Sequence, residues 1–199
     1  MNLLEATNLL LLRLNSSPVN STEDDNRARA VSSEIRHSNN RALETGDWFF
    51  ALQRVELTRV DHDLDNAYRR FFYRHILPSA IANIHAIEPA VQDYALIGSH
   101  VYSNEPRLWL EYTKQLTFDE TSPYATYQNF VISMATLHVL PKITDAASET
   151  ILRLLQQESQ VARREALLWN RRLAPSRGIR QINPITTRHY LNSGYRFWR

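Results

Sequence analysis

With 199 residues, the chain is long enough for one domain with a genuine core plus an arm. It has no cysteine, which excludes a disulfide framework, a zinc finger and a thiol nucleophile and leaves packing alone to hold the fold. The formal net charge of +2 is unevenly spread: residues 160–199 carry nine arginines and one acid, Glu165, so the remainder is net acidic. Only Lys114 and Lys142 are lysines among 23 basic residues. Arginine is the cation of bidentate and stacked contacts, so this bias points to contacts with a partner.

The segment from Met1 to Leu14 carries Glu5 and Arg13 inside an apolar run. It is expected to form a soluble amphipathic helix, not a signal peptide or a membrane span. Its apolar face is Leu3, Leu4, Ala6, Leu10, Leu11 and Leu14, and Ser16-Ser17-Pro18 turns the chain. A second helix is predicted from Thr22, with Thr22 as cap and Glu23, Asp24 and Asp25 at the positive end of the helix dipole. Ala28, Val31, Ile35, Ala42 and Leu43 form its stripe, and Gly46 is expected to close it in the left-handed conformation.

Trp48, Phe49 and Phe50 then switch the local preference to β, and their position after a helix stop favours a core role over a binding role. Strands are predicted at 48–55, 68–76, 80–87, 94–97, 100–102, 107–112 and 114–118, with a helical turn an equal alternative for Tyr68 to Tyr73 and with turns at Gly98-Ser99 and Ser103-Asn104-Glu105-Pro106. The cluster Asp61-His62-Asp63-Leu64-Asp65 has Asn66 and Phe72 where a calcium loop needs glycine and glutamate, and reads as a solvated acidic loop.

Helical signals return at Ser122-Pro123, an N-cap followed by proline at the first helical position. Tyr127, Phe130, Val131, Met134 and Leu137 give one apolar face, and Pro141 is expected to limit the helix. The last helix runs from Thr144-Asp145 to about Arg172, with Ala147, Ile151, Leu154, Leu155, Val161, Ala162, Leu168 and Trp169 on one side. At about 1.5 Å per residue it is roughly 40 Å long, more than the first helix can cover, so part of it should pack on another molecule. Arg163, Arg164, Trp169, Arg171 and Arg172 are the candidate subunit-interface residues; for Trp169 the equal alternative is a place in the core, and for the arginines it is solvation of the helix end, where cations suit the dipole.

From Ala174 onward periodicity is lost, yet Ile179, Ile182, Ile185, Tyr190, Leu191, Tyr195, Phe197 and Trp198 are too apolar for an ordinary solvated tail. Burying the four aromatics alone does not offset the entropy of ordering the arm, and backbone hydrogen bonds and arginine pairs on a partner would have to supply the rest, so it is expected to be loose in the free subunit and ordered on docking. The fold class is α+β: an antiparallel bundle of four helices (1–46 and 121–173), a β-rich insertion between helices 2 and 3 (47–120), and an extended C-terminal arm (174–199). No G-x-S-x-G or glycine-rich phosphate loop is present, and His62, His75, His85, His100, His138 and His189 are scattered. An enzyme, a metal site and a cofactor are therefore not expected.

Two segments carry a resemblance. R-A-L-E-T-G-D-W-F-F at 41–50 ends an acid-opened, Ala- and Arg-rich helix, with Asp47 between Gly46 and Trp48; A-L-I-G-S-H-V-Y-S-N-E-P-R-L-W-L-E-Y at 95–112 reads as a β-hairpin. Together with the order of helices, the chain resembles the tail tubular protein A family, the head-to-tail adaptors of short-tailed bacteriophages. The resemblance implies a virion protein forming a dodecameric ring between the portal protein and the tail nozzle (tail tubular protein B), with tail fibres as further contacts and DNA passing through the lumen. It implies portal binding by the arm, carried onto Arg177, Arg180, Ile185, Arg188, Tyr190, Tyr195, Phe197, Trp198 and Arg199, and a nozzle-facing turn at Ser103, Asn104 and Glu105. The competing expectations are a nucleic-acid-binding protein whose basic arm tracks phosphates, and a bundle protein that scaffolds an unrelated assembly.

Overall fold

The computed structural model describes residues 1–60, 70–89, 93–143 and 149–173. The acidic cluster at 61–65, the opening of the last helix at Thr144-Asp145 with Ala147, His189 and the whole arm at 174–199 lie outside the described residues. So do all nine portal-binding candidates. The fold is α+β, with four helices and antiparallel sheets inserted between the second and third.

The chain divides into two units. The helical unit takes in the chain to Ala51 and again from Gln115, so residues 47–51 and 115–120 belong with the helices. Helix α1 (Leu3–Arg13) opens on a capping box: Asn2 accepts from the Glu5 amide at 2.8 Å while the Glu5 carboxylate accepts from the Asn2 amide at 2.9 Å. It buries Ala6, Thr7, Leu10 and Leu11; Leu3, Leu4 and Leu14 are half-buried.

Helix α2 (Asn26–Thr45) starts later than expected, because Asp25, not Thr22, accepts from the first turn, at Ala28 N–H, 2.6 Å. Asp24 is spent bonding the amides of Asn20 and Ser21. At the other end Gly46 is extended, with φ −126° and ψ 143°, so its role is not the left-handed stop expected of it. A Cβ there would lie 2.3 Å from Trp48 Nε1 and 2.6 Å from Cε2: the glycine is needed because the indole lies on its backbone.

Trp48–Phe50 is a turn, not a strand; β1 is Leu52–Glu56. The aromatic preference for β yields here to burial within the bundle. Trp48 is buried, donates Nε1–H to the Ala42 carbonyl at 2.7 Å, and meets Tyr127 edge-on at 4.8 Å.

Helix α3 (Ala125–Ile143) is preceded by a 3-10 turn at Asp119–Thr121, which takes Ser122 as its close; the helix therefore begins two residues after Pro123, not at it. It is also buried on more than the one face expected, with Tyr127, Gln128, Phe130, Val131, Ile132, Ser133, Ala135, Thr136 and Val139 all inside. The reason is its position as the central helix, touching α1, α2 and α4. Pro141 lies inside α3 near its end and does not limit it. Helix α4 (Glu149–Leu173) packs along α3 and forms no comparable seam with α1 or α2 among the described residues.

The second unit, residues 52–114, holds two sheets. One has the order β1-β7-β4, with β4 at Ile81–Glu88 and β7 at Trp109–Lys114; the other has the order β2-β3-β6-β5, with β2 at Thr58–Val60, β3 at Tyr73–Ile76, β5 at Tyr94–Ile97 and β6 at His100–Ser103. All pairings are antiparallel. Strand β5 has the expected bounds, whereas β2 was not expected. Leu57 separates it from β1 and is buried, its N–H bonded to the Leu108 carbonyl.

No strand occupies 115–118, contrary to expectation, because that backbone is claimed by the bundle: the Leu116 carbonyl accepts from Asn39 Nδ2 at 2.8 Å. Of the expected segment 68–76, residues 68 and 69 lie outside the described residues; among the rest the strand begins at Tyr73, and the Phe72 amide bonds Asn104 Oδ1 instead. Residues Gly98-Ser99 form the expected two-residue hairpin connection, with Gly98 at φ +57°. Leu57, Val101, Leu108, Leu110 and Tyr112 form the sheet core, with Val55, Ile81, Ile84 and Tyr94 against it.

Candidate functional site

Helix α4 carries exposed arginines (Arg153, Arg163, Arg164, Arg171 and Arg172) together with exposed large apolar side chains. Its packed side follows Leu155, Ser159, Ala162, Ala166 and Asn170, spaced three or four residues apart as one helix face requires. Of the apolar residues expected on that face, Ile151, Leu154, Val161 and Leu168 are instead exposed, by 45%, 60%, 52% and 56%. The expectation counted a single stripe, but the helix carries two.

Among the interface candidates, Arg163, Arg164, Arg171 and Arg172 are all exposed, and Arg171 and Arg172 sit in the last turn, where cations complement the dipole. Trp169 belongs to a different setting. It is half-buried in an aromatic cluster with Phe50 at 6.1 Å and Tyr124 at 5.6 Å between ring centroids, and Phe50 stacks on Tyr124 at 4.2 Å.

Three buried carboxamides, which the sequence did not single out, hold the chain where it leaves and re-enters the helical unit. Asn170 donates to the Asp47 carbonyl at 2.7 Å and accepts from the Phe49 amide at 2.9 Å. Asn39 bonds Leu116, and Gln128 Nε2 donates to the carbonyls of Phe118 and Met1. Tyr127 completes the set, its hydroxyl 3.0 Å from Asn39 Oδ1; burial removes water from the phenol and pushes its pKa far above the usual tyrosine value. The only signal in sequence is a polar residue on an apolar helix face, which does not name its partner.

In the sheet unit the last residue of β6 and the turn after it contain the three nozzle candidates. Ser103 is fully buried, its hydroxyl accepting from the Glu105 amide at 3.2 Å. The Glu105 carbonyl accepts from His75 Nε2 at 3.1 Å, so a buried histidine braces the turn. Asn104 is exposed and Glu105 half-buried, which leaves these two to meet anything outside.

A cleft of about 440 Å³ in the helical unit is lined by Leu3, Arg36, Asn39, Asn40 and residues 115–119. Across it Gln115 donates to Asn40 at 2.7 Å and Asp119 accepts from the Leu3 amide at 2.6 Å, so these polar groups tie its walls together. Among the described residues no group of three or more His, Cys, Asp or Glu could hold a metal ion, and no helix is long and apolar enough to cross a membrane. No protein-family model matches the chain, and a search of curated proteins finds no match.

Proposed function

We propose that this chain is the subunit of a head-to-tail adaptor ring of a short-tailed bacteriophage, joining the portal to the tail nozzle and surrounding the DNA channel. The observation that carries it is the element order: two helices, an inserted antiparallel β unit, then two helices, as the resemblance at 41–50 and 95–112 implies. The exposed arginine group on α4 supports contacts with other protein surfaces, since the side chains are free to meet acids. On this proposal residues 174–199 dock on the portal through Tyr190, Tyr195, Phe197 and Trp198, and the turn with Asn104 and Glu105 faces the nozzle. The protein has a mechanical role and acts by multivalent contact.

The test is the mass of the full chain measured with and without an isolated portal ring. The expected result is a portal-bound ring that is lost when residues 174–199 are removed. A persistent monomer that ignores the portal would overturn the proposal. Binding to random duplex DNA that weakens steeply with salt would favour the second reading, a basic nucleic-acid-binding arm, which the nine arginines of residues 160–199 favour.

A further inference from the structure

Strand β3 of the sheet unit carries a cation that nothing answers. Arg74 is half-buried, its Nε is shut off from solvent and bonds nothing, and among the described residues no acid pairs with its guanidinium. The other described arginines of this unit are engaged: Arg54 with Glu88, Arg70 with Asp93, Arg107 with Glu56, and Arg59 over the Tyr73 ring. A donor that gives up water without gaining an acceptor is unfavourable, so Arg74 calls for an acceptor from elsewhere.

The surroundings of Arg74 say what that acceptor is attached to. His75 is fully buried and pairs with Val101 of the sheet core, so strand alternation puts Arg74 on the other side of β3, with Phe72 and Ile76. Phe72, 68% exposed, is the most exposed large apolar side chain among the described residues, and Ile76 is 42% exposed. The backbone beneath Phe72 is held, its amide donating to Asn104 Oδ1 at 3.1 Å, which leaves Nδ2 of the exposed Asn104 to donate elsewhere. A ring on a held backbone loses little freedom when it is covered, and a guanidinium takes a carboxylate in two parallel hydrogen bonds. Phosphate would also suit a guanidinium, but Glu105 stands beside Asn104 and its carboxylate meets no cation among the described residues. A protein segment can set one carboxylate on Arg74 and a cation on Glu105; a run of phosphates cannot.

We infer that Phe72, Arg74 and Asn104 dock a protein segment that sets a carboxylate on the Arg74 guanidinium and an apolar side chain on the Phe72 ring. This deepens the ring proposal and rests on it for taking that segment to be the nozzle's, because Asn104 belongs to the turn assigned to the nozzle.

Two measurements on the full chain keep the docking site and the nozzle apart. The first is a nuclear magnetic resonance titration with phenylacetate, a carboxylate on an apolar ring. It is expected to shift the Arg74 Nε–H and the Phe72 ring but not the exposed Arg107, whereas the uncharged 2-phenylethanol shifts neither and Arg74→Met abolishes the response. The second is attachment of the isolated nozzle protein, followed by sedimentation: Phe72→Ser and Arg74→Met are each expected to weaken it about tenfold or more, with the circular dichroism of the free chain unchanged. Asp61, Asp63 and Asp65 are the chain's own candidates for Arg74. If replacing all three by Asn lowers the urea midpoint as much as Arg74→Met does, and the two losses do not add, Arg74 is already paired and the inference is overturned. It is equally overturned if phenylacetate leaves Arg74 unmoved, or if mixed-sequence duplex DNA binds through Arg74 and phenylacetate does not. A nozzle that attaches regardless of both substitutions would refute the inference and keep the ring. A phenylacetate response at Arg74 without nozzle attachment would keep the docking site and refute the nozzle as its partner.

Discussion

Gly46→Ala is the sharpest test of how the helical unit is held together. The backbone at Gly46 is extended, so alanine is conformationally acceptable and any cost is steric. The new methyl would sit 2.3 Å from Trp48 Nε1, 2.6 Å from Cε2 and 3.1 Å from Cδ1. The indole cannot swing clear, because it is buried, bonded to the Ala42 carbonyl at 2.7 Å and packed on Tyr127. Overpacking of this kind costs about 1–3 kcal/mol, and breaking the indole hydrogen bond adds about 1 kcal/mol, giving about 2–4 kcal/mol in all. The assay is urea unfolding followed by tryptophan fluorescence and far-ultraviolet circular dichroism, with Trp48→Phe as a second background. If the clash is the cause, Gly46→Ala should cost much less in the Trp48→Phe background than in the wild type, a coupling that a double-mutant cycle reads directly. A Gly46→Ala protein within about 0.5 kcal/mol of wild type, or equal costs in the two backgrounds, would refute the reasoning.

Gly98→Ala should behave differently: no atom lies within 4 Å of a Cβ there, but φ is +57°, so a loss of about 1 kcal/mol is expected from backbone strain, without coupling to any neighbour. Asn170→Leu should lower the unfolding free energy by about 2–4 kcal/mol, since it strands the Asp47 carbonyl and the Phe49 amide together; hydrogen exchange at Phe49 is the local readout. Tyr127 gives a pH dependence of definite sign. Its pKa is higher folded than unfolded, so its contribution is complete below about pH 10 and is lost as pH rises above that, by about 1.4 kcal/mol per unit. Tyr127→Phe should remove that component of the alkaline slope in denaturant titrations, and an unchanged slope would argue against it.

The sequence by itself determined the kind of each element wherever the chain's own periodicity was decisive. The apolar face from Leu3 to Leu14 announces α1, the stripe from Ala28 to Leu43 announces α2, and Gly98-Ser99 fixes the β5–β6 hairpin, because stripes and tight turns depend on residues a few positions apart. Tertiary structure decided what depends on distant partners. Trp48–Phe50 has strand propensity but turns into the bundle, since Tyr127 and Tyr124 offer rings that no neighbour in sequence could reveal. Residues 115–118 are drawn away from the sheet by Asn39 and Asn40, more than 70 positions earlier. Gly46 is where local signals stop a helix, yet its reason is an indole pressed on its backbone, not a left-handed turn. On α4 the apolar residues were plain in the sequence; only packing along α3 separated those that hold the bundle together from Leu154, Val161 and Leu168, which face outward. A helix's spacing defines its faces, but which face is buried depends on the surfaces the rest of the chain brings to it.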